Sequence, residues 1–294
     1  ILSGLVGSEM CIRDRPLQLG YSSSGEVVQT GKGVSDFHTG DRVVSNGNHA
    51  EYVVVNQNLC TRIPDNTDIK EASFTVLGSI ALHGLRLSET SLGSKVVVIG
   101  LGIIGQLVCR LAEAQGSEVI GIDPDTKRTD LSTNFYTSVE EANMTNVDSV
   151  IITAATSSNE PIEVATKIAR NKAKIVVVGD IPLNISRNDF YYKELELVVS
   201  KSYGPGRYDK QYEILGKDYP IEYVRWTENR NFEAFIKLLS QNQIHLLDLV
   251  TEEVSFENAP SVYKKFSGED KLLSVVLRYD NKSEPKIDLQ KTIE

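Results

Sequence analysis

From Lys95 to Ile99 the chain reads Lys-Val-Val-Val-Ile, four consecutive β-branched residues without polar alternation. A strand solvated on one face alternates, so an unbroken apolar run of this kind predicts a strand buried on both faces of a parallel sheet. Gly100, Gly102 and Gly105 come immediately after it. Ile104, Leu107, Val108, Leu111 and Ala112 then recur at spacings of three and four, which predicts a helix opening at the third glycine. A second strand is predicted over Glu118–Asp123. The rhythm continues with a strand over Val147–Thr153, a helix over Glu160–Asn171, strands over Ala173–Gly179 and Leu197–Ser200, and a helix over Arg230–Asn242. Before Pro64 the pattern differs. Short β-prone pieces at Gly25–Gln29, Asp41–Val44 and Ala50–Val55 are separated by turn residues such as Gly31-Lys-Gly33, which predicts a small barrel or sandwich. The last apolar stretch, Leu273–Tyr279, is expected to return to that first domain.

Alternating strands and helices predict an α/β chain with a doubly wound parallel sheet, the Rossmann arrangement. The glycines then acquire chemistry: Gly100 permits a tight turn, Gly102 lets backbone approach a pyrophosphate, and Gly105 lets helix and strand pack closely. The phosphates would lie on the free N–H groups at the helix start, which places Ile103 and Ile104 in the cofactor site. Asp123 ends the second strand close to the roughly 20-residue spacing of the acid that accepts from a ribose hydroxyl. It favours NAD over NADP, because a carboxylate repels a 2′-phosphate. Arg128 pulls the other way, and Asp123 could instead merely cap the next helix, through Asp125 and Lys127. Ligands in such sheets sit beyond the carboxyl ends of strands, which adds Ala154 and Gly179 to the cofactor residues unless their smallness serves packing alone.

Composition narrows the class. With 40% hydrophobic and 24% charged residues, the 294-residue chain has ample material for a core, and its net charge of −9 argues against nucleic-acid or anionic-membrane partners. Three cysteines without close pairing argue against a disulfide framework and for a reducing, cytoplasmic setting. No apolar run approaches the roughly 20 residues of a membrane span. Residues 1–15 do not fit the β-prone pattern that starts after Pro16. Gly7-Ser-Glu-Met-Cys-Ile-Arg-Asp-Arg15 looks like a translated sequencing adapter, and it contains Cys11. The true N-terminus is therefore expected to be missing. His38 and His49 fall in polar turns and read as solvated, His83 as a packing or capping residue, and His245 as part of a loop; His49 or His83 could alternatively relay a proton.

Leu19-Gly-Tyr-Ser-Ser-Ser-Gly-Glu-Val-Val28, Gly33–Val43 and Ala50-Glu-Tyr-Val53, with Leu77-Gly-Ser-Ile-Ala-Leu-His-Gly84 and the glycine turn beyond them, resemble the medium-chain dehydrogenase/reductase superfamily, which is alcohol dehydrogenase-like. The resemblance covers nearly all of residues 16–279 and implies a GroES-like catalytic domain, here partial, beside a Rossmann NAD-binding domain. It also implies where metal ligands would stand. Zinc-dependent members carry Gly-His-Glu where this chain has Gly20-Tyr21-Ser22, and a further family ligand falls near Thr75, within a run from Ala72 to Leu82 that holds no Cys, His, Asp or Glu. The family's cysteine-rich zinc lobe is absent between Asp41 and Glu51. No metal is expected. Asp189–Asp209 and Tyr219–Thr227 are similar to a zinc-lacking branch in which the module precedes a second oxidoreductase domain of the glucose-fructose oxidoreductase/inositol dehydrogenase type. The polar residues 281–294 read as the linker to it.

These readings divide the chain into a foreign segment (1–15), a partial GroES-like domain (16–75), a Rossmann domain (76–245), a return segment (246–280) and a linker (281–294). The expected activity is zinc-independent, NAD-linked oxidoreduction of an alcohol or carbonyl on a small, sugar-related molecule, by a protein that could form homo-oligomers. Tyr21, Ser22 and Lys193 are the candidate proton donors. Tyr203 and Arg207, in the loop Lys201-Ser-Tyr-Gly-Pro-Gly-Arg-Tyr-Asp209, are candidate substrate residues through stacking and bidentate hydrogen bonds, unless the loop is a tight turn with surface aromatics. Two other readings stay open: an NADPH-dependent quinone or enoyl reductase, and a non-catalytic NAD-binding module of a larger protein.

Overall fold

The computed structural model describes residues 19–129, 131, 134–266 and 272–279. The segment read as foreign, 1–15, and the one read as a linker, 281–294, lie outside the described residues. In the first domain, strands β1 (Ser23–Glu26), β2 (Arg42–Ser45) and β3 (Cys60–Arg62) form an antiparallel sheet in that order. The expected strand over Ala50–Val55 is not formed; Val54 stands 63% exposed and the run joins no ladder. Apolar content alone does not make a strand. The place beside β2 is taken by Cys60–Arg62, whose Cys60 and Thr61 are buried.

The second domain is the predicted doubly wound sheet. Strands β4 (Lys95–Ile99), β5 (Glu118–Ile122), β6 (Phe135–Tyr136), β7 (Val147–Ile152), β8 (Ala169–Val177) and β9 (Glu196–Val199) lie in the order β6-β5-β4-β7-β8-β9, every pairing parallel. The consecutive apolar residues of β4 are divided between two cores. Val96 and Val98 pack with the helices Thr75–Leu87, Ile103–Ala114 and Glu228–Ser240 through Leu82, Leu107 and Phe235, while Val97 and Ile99 meet Ile162, Ala165 and Ile168 of the helix Glu160–Ile168 on the opposite face. Burial of both faces is why this sheet reads as continuous hydrophobic runs.

The helix predicted to Asn171 ends at Ile168, and β8 begins at Ala169. Lys193 explains the early stop: its Nζ donates to the carbonyls of Thr166, Lys167 and Ala169 at 2.7, 2.9 and 2.8 Å, satisfying carbonyls that the helix end leaves open. The return stretch forms a sheet of its own. β11 (Val275–Arg278) pairs in parallel with β10 (Glu252–Ser255) rather than with β1–β3. Its segment reaches the first domain through side chains, with Lys70 paired to Glu253 and Tyr263 bonded to His49.

The helices Thr75–Leu87 and Glu228–Ser240 meet where Gly78 faces Phe235. A Cβ on Gly78 would lie 2.1 Å from the Phe235 ring, which is fully buried. Ala in place of Gly in a helix ordinarily adds up to about 1 kcal/mol. Here Gly78→Ala is expected to lose about 1–3 kcal/mol through overpacking, read as a lowered urea midpoint, while Gly25→Ala, where a Cβ meets nothing within 4 Å, causes no loss. A gain for Gly78→Ala would contradict the packing described.

Candidate cofactor-binding and active site

At the carboxyl end of β4 the chain turns on Gly100 (φ +96°), a left-handed conformation that favours glycine. A Cβ there would lie 2.6 Å from Ala154 N. Gly105 is tighter still, because its Cβ would stand 1.9 Å from Gly100 O and 2.8 Å from Thr153 Oγ1. Thr153 closes the joint by donating to Gly100 O at 2.5 Å. Gly102 is different. It has ordinary extended backbone, caps the helix Ile103–Ala114 without any side-chain acceptor, and a Cβ would meet only the Arg128 Nη1, at 3.8 Å. The open space thus lies at Gly102, before first-turn amides that an α-helix leaves without internal acceptors. The cradle fits a dinucleotide pyrophosphate. Ile103 and Ile104 flank it half-buried, with their side chains packed on the core and only their amides available.

Asp123 stands where the sequence places it, just past β5, and is 4% exposed. Oδ2 accepts from Leu101 N at 2.7 Å and Oδ1 from Asp125 N at 2.9 Å. The carboxylate therefore both shapes its own turn and braces the glycine turn. Arg128 is held by two acids, 3.2 Å from Asp123 and 3.8 Å from Asp125. Ala154 and Gly179 line the same end of the sheet and explain each other: a Cβ on Gly179 would lie 2.0 Å from Ala154 O, so the loops after β7 and β8 run back to back.

The substrate-side candidates are dispersed. Ser22 Oγ donates to Ser73 O at 2.5 Å, and Thr75 Oγ1 to Ala72 O at 2.7 Å. Tyr21 packs beside Val76, Tyr203 and Phe232. Lys193 is a correction: its ammonium is consumed at the helix end beside the start of β8, at the amino end of the sheet and away from the cleft. Tyr203 is a second correction, being a core residue at 2% exposure with its ring 5.6 Å from Phe232, so it offers no stacking surface. Arg207 lies over Tyr208 at 4.1 Å and binds Glu213 at 2.7 Å.

Two groups escape the sequence reading. His49, expected in solvent, is half-buried, hydrogen-bonded through Nδ1 to Tyr263 OH and packed against Gly20; burial holds its pKa below the usual value. The partner lies far along the chain, so no local signal reveals it. Glu228 is fully buried, with neither carboxyl oxygen hydrogen-bonded among the described residues. Burial first, then the neighbouring Glu213 charge, push its pKa up to about 8. Thr227 caps this helix by accepting from Arg230 N, and an acid after such a cap reads in sequence as a solvated first-turn residue.

Among known proteins, the alcohol dehydrogenase GroES-like domain matches residues 3–65, and the NAD-binding domain of D-isomer specific 2-hydroxyacid dehydrogenases matches residues 78–188. The first match begins inside the segment read as foreign. D-guloside 3-dehydrogenase of Escherichia coli K12 is 26% identical over 272 residues, covering 85% of this chain and 73% of that protein. Sorbitol dehydrogenase of Halalkalibacterium halodurans is 23% identical over 282 residues, covering 84% and 79%. The crystal structure of galactitol-1-phosphate dehydrogenase from Escherichia coli superposes with a TM-score of 0.75 at 21% identity, covering 92% of this chain and 86% of that one. The chain thus carries a match to an alcohol dehydrogenase GroES-like domain followed by a match to an NAD-binding domain, in a fold shared with that dehydrogenase.

The two glycines make separable demands. Gly105→Ala is expected to lower the melting temperature of the free protein, whereas Gly102→Thr, a comparable helix cap, leaves it within a degree or so and weakens NADH binding by about tenfold or more; equal effects of the two on the free protein would contradict this division. For Glu228 the folded pKa lies above the ordinary carboxylate value of 4.5, so between about pH 4.5 and 8 the unfolded chain ionises while the folded chain keeps its proton. Stability from this group falls as pH rises through that window. Glu228→Gln should therefore gain melting temperature relative to the parent as pH goes from 5 to 8; a constant difference would refute the assignment.

Proposed function

We propose that this chain is a zinc-independent, NAD-linked oxidoreductase acting on an alcohol or carbonyl carbon of a sugar-related small molecule. The open Gly102 cradle, with the Asp123 carboxylate fixed beside it, carries the reading. Gly100, Gly102, the amides of Ile103 to Gly105, and Asp123 would hold the dinucleotide, with Ala154 and Gly179 lining its path. The bound nicotinamide supplies or accepts the hydride. The chain's own share is to orient the two reactants and exclude water between the domains.

Zinc does not fit the residues at the places where the resembling family keeps its ligands. Tyr21, Ser22 and Thr75 offer neutral oxygens, two of them already donating to backbone carbonyls, in place of the thiolate, imidazole or carboxylate that zinc takes. The named activities of the curated relatives, on D-guloside and sorbitol, favour a polyol or sugar derivative. Arg128, beside Gly102, is the one observation favouring an NADPH-dependent quinone or enoyl reductase, but its pairing with Asp123 and Asp125 leaves a 2′-phosphate to meet two carboxylates. Cys60 and Cys109 are free, buried thiols, in keeping with a cytoplasmic setting.

NADH at about 100 times its Kd is expected to stabilise the protein by about 2.7 kcal/mol, with NADPH at the same concentration adding less, both read as melting shifts. Reduction of NAD by a polyol panel should proceed undiminished in a strong chelator. Preference for NADPH, or activity abolished by chelation and restored by zinc, would overturn the proposal.

A further inference from the structure

Trp226 is the single tryptophan of the sequence, and two guanidinium groups lie on it. Arg86 Cζ stands 3.4 Å and Arg225 Cζ 3.8 Å from the ring centroid. Two groups that close to one centroid would collide on the same face, so the indole is clamped between them. Each stack is attractive through the ring quadrupole, yet the cations repel each other across it. Arg86 is half-buried, and its only side-chain hydrogen bond among the described residues runs from Nε to Asn231 Oδ1 at 3.0 Å; Arg225 is exposed and its side chain makes none among them. No carboxylate pairs with either arginine among the described residues. Burial and the Arg225 charge pull the Arg86 pKa down to about 10, and burial with the Arg86 charge pulls His83 down to about 4, which fits a pocket short of negative charge. Arginines held away from water are normally paired.

We propose that Arg86 and Arg225, clamped on Trp226, form a binding site for a small oxyanion, a phosphate monoester or a carboxylate, separate from the glycine-rich dinucleotide turn. The planar guanidinium fork of Arg86 keeps its terminal nitrogens for such a ligand, because Nε alone is committed. Asn231 carries the consequence inward. Its Oδ1 accepts from Arg86 while its Nδ2 donates to Tyr203 O at 3.0 Å, so the anion would sit one side chain away from the loop after β9.

The lone indole makes the test direct. Inorganic phosphate titrated at constant ionic strength, with chloride as the balancing salt, is expected to change Trp226 fluorescence saturably, and the response should weaken about tenfold or more in Arg225→Gln. Arg225 is exposed, so that variant should keep the parent melting temperature; Arg86→Lys provides a second variant that retains charge but loses the fork, and should also weaken the response. Acetate in a parallel titration separates carboxylates from phosphate esters, a response to either supporting the site. The phosphate response should persist with saturating NAD present. No saturable change with either anion, a change that survives Arg225→Gln, or one that NAD abolishes would overturn the proposal. NADH binding measured independently distinguishes this failure from failure of the dinucleotide reading.

Discussion

Gly105 leaves no room for a side chain, and much of the molecule depends on that. With the first turn of the helix Ile103–Ala114 pressed on Gly100 O, the helix axis must leave the end of β4 at close range, which seats Leu107, Val108 and Leu111 on Val96 and Val98. The same approach presents the amides of the first turn at the carboxyl edge of the sheet, where Gly102 keeps the space before them open. Asp123 locks the arrangement from the neighbouring strand by accepting from Leu101 N. Packing and binding are thus one constraint: the contact that fixes helix against strand also aims the helix start at the cleft.

The second domain is joined to the first by the pair of helices Thr75–Leu87 and Glu228–Ser240 and by polar side chains at their ends. Asn229 donates to the carbonyls of Asn58 and Cys60 at 3.1 and 2.9 Å, Asn66 to Ser240 O at 2.8 Å, and Asn58 to Tyr212 O at 2.9 Å. Buried beside this seam, the Glu228 carboxyl is without hydrogen-bond partners among the described residues, an arrangement that costs stability when the group is ionised. Arg86 and Asn231 lie at the same seam. Polar groups that sequence patterns treat as surface, Asn58, Asn66 and Asn229 among them, therefore gather between the domains.

What the sequence makes legible is what short-range chemistry determines. The β4 run, the three glycines and Asp123 each sit in a local pattern, and each stands as expected. Where a choice depends on distant partners the pattern fails. Ala50–Val55 is apolar enough for a strand, but β2 pairs with Cys60–Arg62; the helix from Glu160 has the periodicity to continue, but Lys193 from another segment caps it. Tyr203 looks like a loop aromatic until the fold closes Val76 and Phe232 around it. His49 and Tyr263 become neighbours only when the return segment folds back. The glycine turn is local in sequence and readable there; His49, Tyr203 and Glu228 take their surroundings from distant segments, and no local pattern shows them.

The central claim is that the dinucleotide is held by the turn from Gly100 to Gly105. Amide hydrogen exchange with and without NAD addresses it at the level of single peptides. Added NAD should slow exchange across Leu101–Gly105 and at Asp123–Asp125, while leaving the Lys193-capped helix end unchanged. Unaltered exchange across the glycine turn, in protein that demonstrably binds NAD, would contradict the account.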